Sequence, residues 1–190
     1  MKLRMIGLGF IAIGALSGGL MLKDRFTRNL AQYGKIPEFK LVSHEGEEFS
    51  EQDLKGKVWL VNFFFTRCHG PCPRLTQKQQ EMQSTLLPFK NLRHLSITSD
   101  PEYDTVEQLS SYAKNYSAVT GRWFFLGGSK DTILSLAKSA FKVVSGEEPD
   151  MHSTRIILID KEGEVRGYYD SADPKALVQL RRDATYLTKL

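Results

Sequence analysis

The sequence predicts an α/β protein: a βαβ unit, further helix–strand alternation and an antiparallel ending, all preceded by an apolar N-terminal segment. Three observations carry this. Val58–Phe65 (VWLVNFFF) is a nearly continuous apolar run rich in β-branched and aromatic residues, as in a strand covered on both faces. Comparable runs alternate with helical stretches opened by Pro or by capping residues. Near the end, two strand-like runs, Ile156–Ile159 and Val165–Tyr169, meet across Asp160-Lys161-Glu162-Gly163.

The chain's 190 residues, 41% hydrophobic and 25% charged, suit one domain with a real core and argue against both disorder and two large domains. The formal charge of +4 raises the question of nucleic acid, but its excess sits at one end. Residues 1–28 hold Lys2, Arg4, Lys23, Arg25 and Arg28 against Asp24 alone, leaving 21 basic and 21 acidic residues for the remainder. A neutral body without a basic stripe lacks the phosphate-neutralising footprint, so no nucleic-acid partner is expected.

Met5–Leu22 is a run of 18 residues without a charge. As a helix it would reach about 27 Å, against a hydrocarbon core of about 30 Å. It is read as a membrane anchor, residues 1–22, with a cleaved signal peptide as the alternative, since Ala15, Ser17 and Gly19 offer small residues to a peptidase. Either reading exports the remainder of the chain. No cysteine precedes Cys68, which excludes a lipid-modified N-terminal cysteine. Residues 23–35, polar and partly basic, read as a linker, and residues 36–190 as the domain.

Within the domain, Phe39–Leu41 and Phe49 flank Glu45-Gly46 as a short hairpin, and Ser50-Glu51-Gln52-Asp53 before Leu54 resembles one capped helical turn. After the buried strand, Pro73 opens a helix to about Leu87, stopped by Pro88, and Leu92–Thr98 is the next strand. Thr105–Tyr116 is a helix, Arg122–Leu126 a strand, and Ser129 caps a helix through Phe141. Asp173-Pro174 opens the last helix. This order is that of a thioredoxin-like fold with an inserted helix–strand pair at 105–126. In open sheets of this kind, reactive groups lie beyond the carboxyl ends of the strands.

Cys68-His69-Gly70-Pro71-Cys72-Pro73 places both cysteines of the chain at such a position. Three intervening residues in a turn allow the Cα separation of a disulfide, or let both thiols face a shared metal. A helix N-terminus with Arg67 and Arg74 nearby is expected to favour thiolate. A purely structural disulfide is the plain alternative, although so short a loop gains little from closure. Asp150-Met151-His152-Ser153-Thr154 stands before Ile156–Ile159 and is expected to face the cysteine loop. Two thiolates with one imidazole suit copper, whereas structural zinc takes four ligands. His69 is expected to point to solvent, and His44 and His94 to be surface or hydrogen-bonded residues.

On these residues the chain resembles the Sco/SenC family of copper-binding, thioredoxin-like proteins, from about Pro37 onward. The resemblance rests on GKVWLVNFFFTRCHGPCP, on Ser96–Pro101 with Asp104-Thr105, on Gly121–Leu126, and on His152 ahead of Leu158-Ile159-Asp160 and Gly163. It implies one copper ion per chain bound by Cys68, Cys72 and His152, and a role in metallating or reducing the copper site of cytochrome c oxidase. The implied partners are the copper-site subunit of that oxidase, other copper carriers or thiol reductants, and the membrane through residues 5–22. The domain would face the periplasm or extracytoplasmic side of the cytoplasmic membrane. The family's first cysteine is often followed by Pro, where this chain has His69. A thiol–disulfide oxidoreductase without obligatory metal remains the alternative function. It is disfavoured by spacing, because reductants of this fold generally carry C-x-x-C. A peroxidase lacks the expected Thr-x-x-Cys, since Thr66 precedes Cys68 by only two.

Overall fold

The structure is a computed structural model that describes residues 29–143 and 153–190. The apolar run 5–22 and the expected ligand His152 lie outside the described residues. In chain order the elements are β1 (Lys40–Ser43), β2 (Glu48–Ser50), β3 (Val58–Phe64), α1 (Cys72–Leu86), β4 (Leu92–Thr98), α2 (Val106–Asn115), β5 (Trp123–Gly127), α3 (Lys130–Ser135), β6 (Arg155–Ile159), β7 (Val165–Asp170) and α4 (Pro174–Lys189).

The strands form one sheet in the order β2-β1-β5-β4-β3-β6-β7. Strands β3, β4 and β5 run parallel, and β6 returns antiparallel to β3, pairing Val61 with Ile157 and Trp59 with Ile159. All seven residues of β3 are buried, as its apolar run requires. The period of two divides them between the two faces of the sheet. Trp59, Val61 and Phe63 pack with Leu95, Ile97, Ile157 and the side chains Ile133 and Leu136. Val58 and Leu60 pack with Leu75, Met82 and Leu86 of α1 and with Leu180, Ala184 and Leu187 of α4. Truncating a buried aromatic such as Phe63 to Ala would cost on the order of 3–5 kcal/mol.

Local signals explain most boundaries. Gly46, at φ 85, makes the β1–β2 turn, and the Ser50–Asp53 capping box opens a short 3-10 turn over Glu51–Leu54. A second box, Thr105 with Gln108, starts α2, and the Asp173 side chain caps α4. Helix α1 begins one residue earlier than expected, at Cys72, with Pro73 second. The expected continuous helix from Ser129 to Phe141 is α-helical only to Ser135. Its last turn, Leu136–Ala140, widens to a π-helix closed by Phe141 N–H to Leu136 O at 2.9 Å. The wider turn lets Leu136, Ala137, Ala140 and Phe141 all reach the core.

Residues from Leu30 onward do not hang free of the domain. Tyr33 N–H donates to Val165 O and Ile36 N–H to Gly163 O, each at 2.9 Å, while Val165 N–H donates to Gly34 O at 3.0 Å. The Arg166 guanidinium holds the carbonyls of Leu30 and Ala31 at 2.9 Å each. The polar stretch read as a linker is therefore bonded along β7 for its last residues.

Candidate metal centre

The site forms where β3 ends. Ser99 N–H, just past the parallel neighbour β4, donates to Phe64 O at 2.7 Å and marks the carboxyl edge of the sheet. The chain then turns through Phe65-Thr66-Arg67 to Cys68, whose N–H donates to Phe65 O at 3.2 Å. Gly70 N–H points back at the Cys68 sulfur at 3.4 Å, curling the loop around that atom. Four residues after Cys68, Cys72 opens α1, where Thr76 Oγ1 donates to its carbonyl at 2.9 Å and also meets the Tyr112 hydroxyl at 3.1 Å.

Both cysteines are free thiols in the structure, 7% and 3% exposed, and they sit in one cluster with Phe64, Leu109, Tyr112 and Phe125. Burial pushes the Cys72 thiol up to about 12, and its hydrogen bond with the Cys68 side chain adds to the rise. The expectation that the helix N-terminus with Arg67 and Arg74 would favour thiolate is thus corrected at Cys72. Desolvation outweighs the dipole, and Arg67 is engaged elsewhere. Arg67 Nε donates to Asp100 Oδ2 at 2.6 Å, and its guanidinium carbon lies 4.6 Å over the Tyr103 ring. The same burial raises Tyr112 above the ordinary phenol range.

A feature that sequence reasoning left without a role is Asp104. Its carboxylate is 3% exposed and accepts the Thr66 backbone N–H at 3.1 Å together with the hydroxyls of Thr66 and Thr98. The signal available in the sequence was the Asp100-Pro101…Asp104-Thr105 pattern itself. It carries no indication that its second acid reaches a residue 38 positions earlier.

Of the histidines, His69 is exposed between the two buried cysteines. His44 is half-buried, its Nδ1 accepting from Phe125 N–H at 3.3 Å, and His94 is fully interior. Among the described residues, no group of three or more His, Cys, Asp and Glu side chains is arranged to hold a metal. Two soft donors are brought together. The segment leading to β6 resumes at Ser153, and β6 starts at the edge of the sheet where β3 ends.

A profile described as SCO1/SenC matches residues 28–183. The chain belongs to the SCO1/SenC family. Among SCO1/SenC relatives, the SCO1 protein homolog of Bacillus subtilis (strain 168) is 31% identical over 173 residues, 88% of this chain and 86% of that one. The SCO1/SenC family lipoprotein of Bacillus anthracis str. Ames superposes with a TM-score of 0.75 at 27% identity, covering 84% of this chain and 98% of that structure. BsSco, described as a member of the Sco family of cytochrome c oxidase assembly proteins and the subject of a disulfide switch, superposes with a TM-score of 0.74 at 29% identity, covering 86% and 98%. The SCO1/SenC fold seen here is thioredoxin-like, and Cys68 and Cys72 lie beyond the carboxyl end of β3.

Proposed function

We propose that this SCO1/SenC protein is a copper-binding assembly factor that carries one copper ion per chain to the copper site of cytochrome c oxidase. Cys68, Cys72 and His152 would be the ligands. The observation that carries the reading is the pair of free, buried thiols gathered in one cluster at the carboxyl edge of the sheet. The donor chemistry fits the cargo: two sulfurs suffice for Cu(I) in a near-linear arrangement, and an imidazole adds the nitrogen that Cu(II) favours. Three ligands fall short of the four that structural zinc takes. His152 is the residue next to Ser153, which leads into β6 at the cysteine edge.

A second reading draws on the same pair. Two free thiols four residues apart in one buried cluster can also form a disulfide, so Cys68 and Cys72 could reduce the partner's copper-site cysteines before loading. Placement follows the family: a relative is described as a lipoprotein, and here the apolar run 5–22 would tether the domain, spanning 36–190 with its 30–35 strap, outside the cytoplasmic membrane. Among the described residues no helix is long and apolar enough to cross a membrane.

The deciding experiment is anaerobic Cu(I) titration of the reduced full chain in detergent against a chromogenic competitor. One equivalent bound, and lost in Cys68→Ser and in Cys72→Ser, is the expected result. Undetectable binding by the wild type would leave the reductase reading in its place.

A further inference from the structure

We infer that Asp104 is a positioning residue for the cysteine pair: acting through Thr66, its buried carboxylate fixes Cys68 at the place from which it meets Cys72. The inference rests on the reading of these two cysteines as the reactive pair.

A buried carboxylate is costly unless its oxygens are bonded, and an ionised one has about four lone-pair sites to satisfy. Asp104 meets that demand with donors from two segments. Thr66 gives its N–H and its hydroxyl, and Thr98, at the end of β4, gives its hydroxyl. The bonds close into a ring. Asp100 N–H donates to Thr98 Oγ1 at 3.0 Å, Asp104 N–H returns to Asp100 O at 2.9 Å, and the Asp100 carboxylate takes Arg67 Nε at 2.6 Å. Thr66 and Arg67, the two residues before Cys68, are therefore both held by the segment 98–104.

Cys72 is located by different means. It lies in the first turn of α1, fixed by Leu75 N–H to Pro71 O at 3.0 Å and by Thr76 beneath it. Between the two anchors, the bond from His69 and Gly70 that turns inward is Gly70 N–H to the Cys68 sulfur, while the Pro71 carbonyl already belongs to the first turn of α1. The spacing of the sulfurs is thus set from outside the loop, by α1 on one side and the Asp104 ring on the other. The halves of the ring are unequal. Arg67 and Asp100 are 57% and 20% exposed at their side chains, a geometry in which ion pairs contribute little. The Asp104 half is buried and charge-assisted, so it dominates.

The test is the metal-free disulfide equilibrium of the full chain in glutathione buffers. Oxidation of Cys68 and Cys72 releases two electrons and two protons and forms one S–S bond, and the glutathione disulfide consumed becomes two glutathione thiols. Releasing Cys68 lowers its effective concentration toward Cys72. Asp104→Ala should therefore shift the equilibrium toward the dithiol by about tenfold or more, about 30 mV for a two-electron couple. Thr66→Val, at a half-buried position, should shift it the same way. Asp104→Asn keeps an acceptor for Thr66 N–H, and the threonine hydroxyls can turn to match it, so it should stay within roughly threefold of wild type. Arg67→Ala should stay within roughly twofold. Unchanged equilibria in Asp104→Ala and Thr66→Val would overturn the inference even if both melt earlier, because Asp104 would then support only the fold. If Asp104→Ala does not fold, Thr66→Val decides. Since no copper is present, failure of the copper reading shows separately, in the wild-type titration.

Discussion

His94 Nδ1 lies 3.0 Å from the Gln79 side-chain oxygen, with both groups buried between α1 and the sheet. The Gln79 amide is oriented by its nitrogen, which donates to Leu60 O at 3.0 Å and Asn62 Oδ1 at 3.1 Å. Its oxygen therefore faces the ring, and Nδ1 is the protonated nitrogen of a neutral imidazole. Ser96 joins Asn62 at 2.7 Å and receives Trp123 Nε1 at 3.0 Å, which completes a satisfied interior network.

That burial gives a pH dependence. Desolvation, with the nearby Arg122 charge second, lowers His94 to about 3 from an ordinary value near 6.5. Between those values the unfolded chain binds a proton that the folded chain refuses. The stabilisation is complete above about pH 6.5 and is lost as pH falls, at about 1.4 kcal/mol per unit. Urea unfolding of wild type and His94→Gln from pH 7 to 4.5 should show this share of the slope vanishing in the variant. Equal slopes would assign the acid lability elsewhere.

Arg166 joins two distant parts of the chain. Its Nη1 lies 2.8 Å from the Asp160 carboxylate, with side chains 15% and 5% exposed, while its other nitrogens hold Leu30 and Ala31. Arg166→Met leaves a buried carboxylate with only the N–H groups of Glu162 and Glu164, a loss on the order of 3 kcal/mol. Amide exchange at Tyr33 and Ile36 should accelerate together. Protection equal to wild type would mean that β7 holds this strap without the arginine.

The proposed copper ligands should be separable by oxidation state. His152→Ala should weaken Cu(II) by about tenfold or more and leave Cu(I) within roughly threefold, because two thiolates still serve Cu(I). His69→Ala, at an exposed position, is the matched control and should change neither affinity. The reverse pattern, read from competition titrations and the thiolate-to-Cu(II) charge-transfer band, would place the third ligand inside the cysteine loop.

Placement is testable by fusion. A reporter enzyme active only outside the cytoplasm, joined after Lys35, should be active, and the protein should fractionate with membranes with its N-terminus intact. A soluble form beginning near Gly18 or Leu20 would identify a cleaved signal peptide. Activity of a cytoplasm-only reporter would reverse the topology.

The sequence by itself determined most of the elements and the place of the cysteine pair at the end of β3, because those signals are local. The apolar run Val58–Phe64 needs no partner to be identified as an interior strand, and the Thr105 and Ser50 caps act on residues within one turn. Both cysteines fall in a single turn, so their proximity is a matter of spacing. The tertiary structure alone decided what surrounds them. Arg67 was expected to lower the thiols but is claimed by Asp100, 33 residues on, and Asp104 grips Thr66 across 38. The segment before Ile36 was legible only as a polar tether until Arg166 reached it from 135 residues away. His94, one polar letter in a strand, gave no sign that Gln79 and Trp123 would enclose it. Each is a contact between groups far apart in the chain, where desolvation and the choice among competing hydrogen-bond partners depend on packing rather than on neighbouring residues.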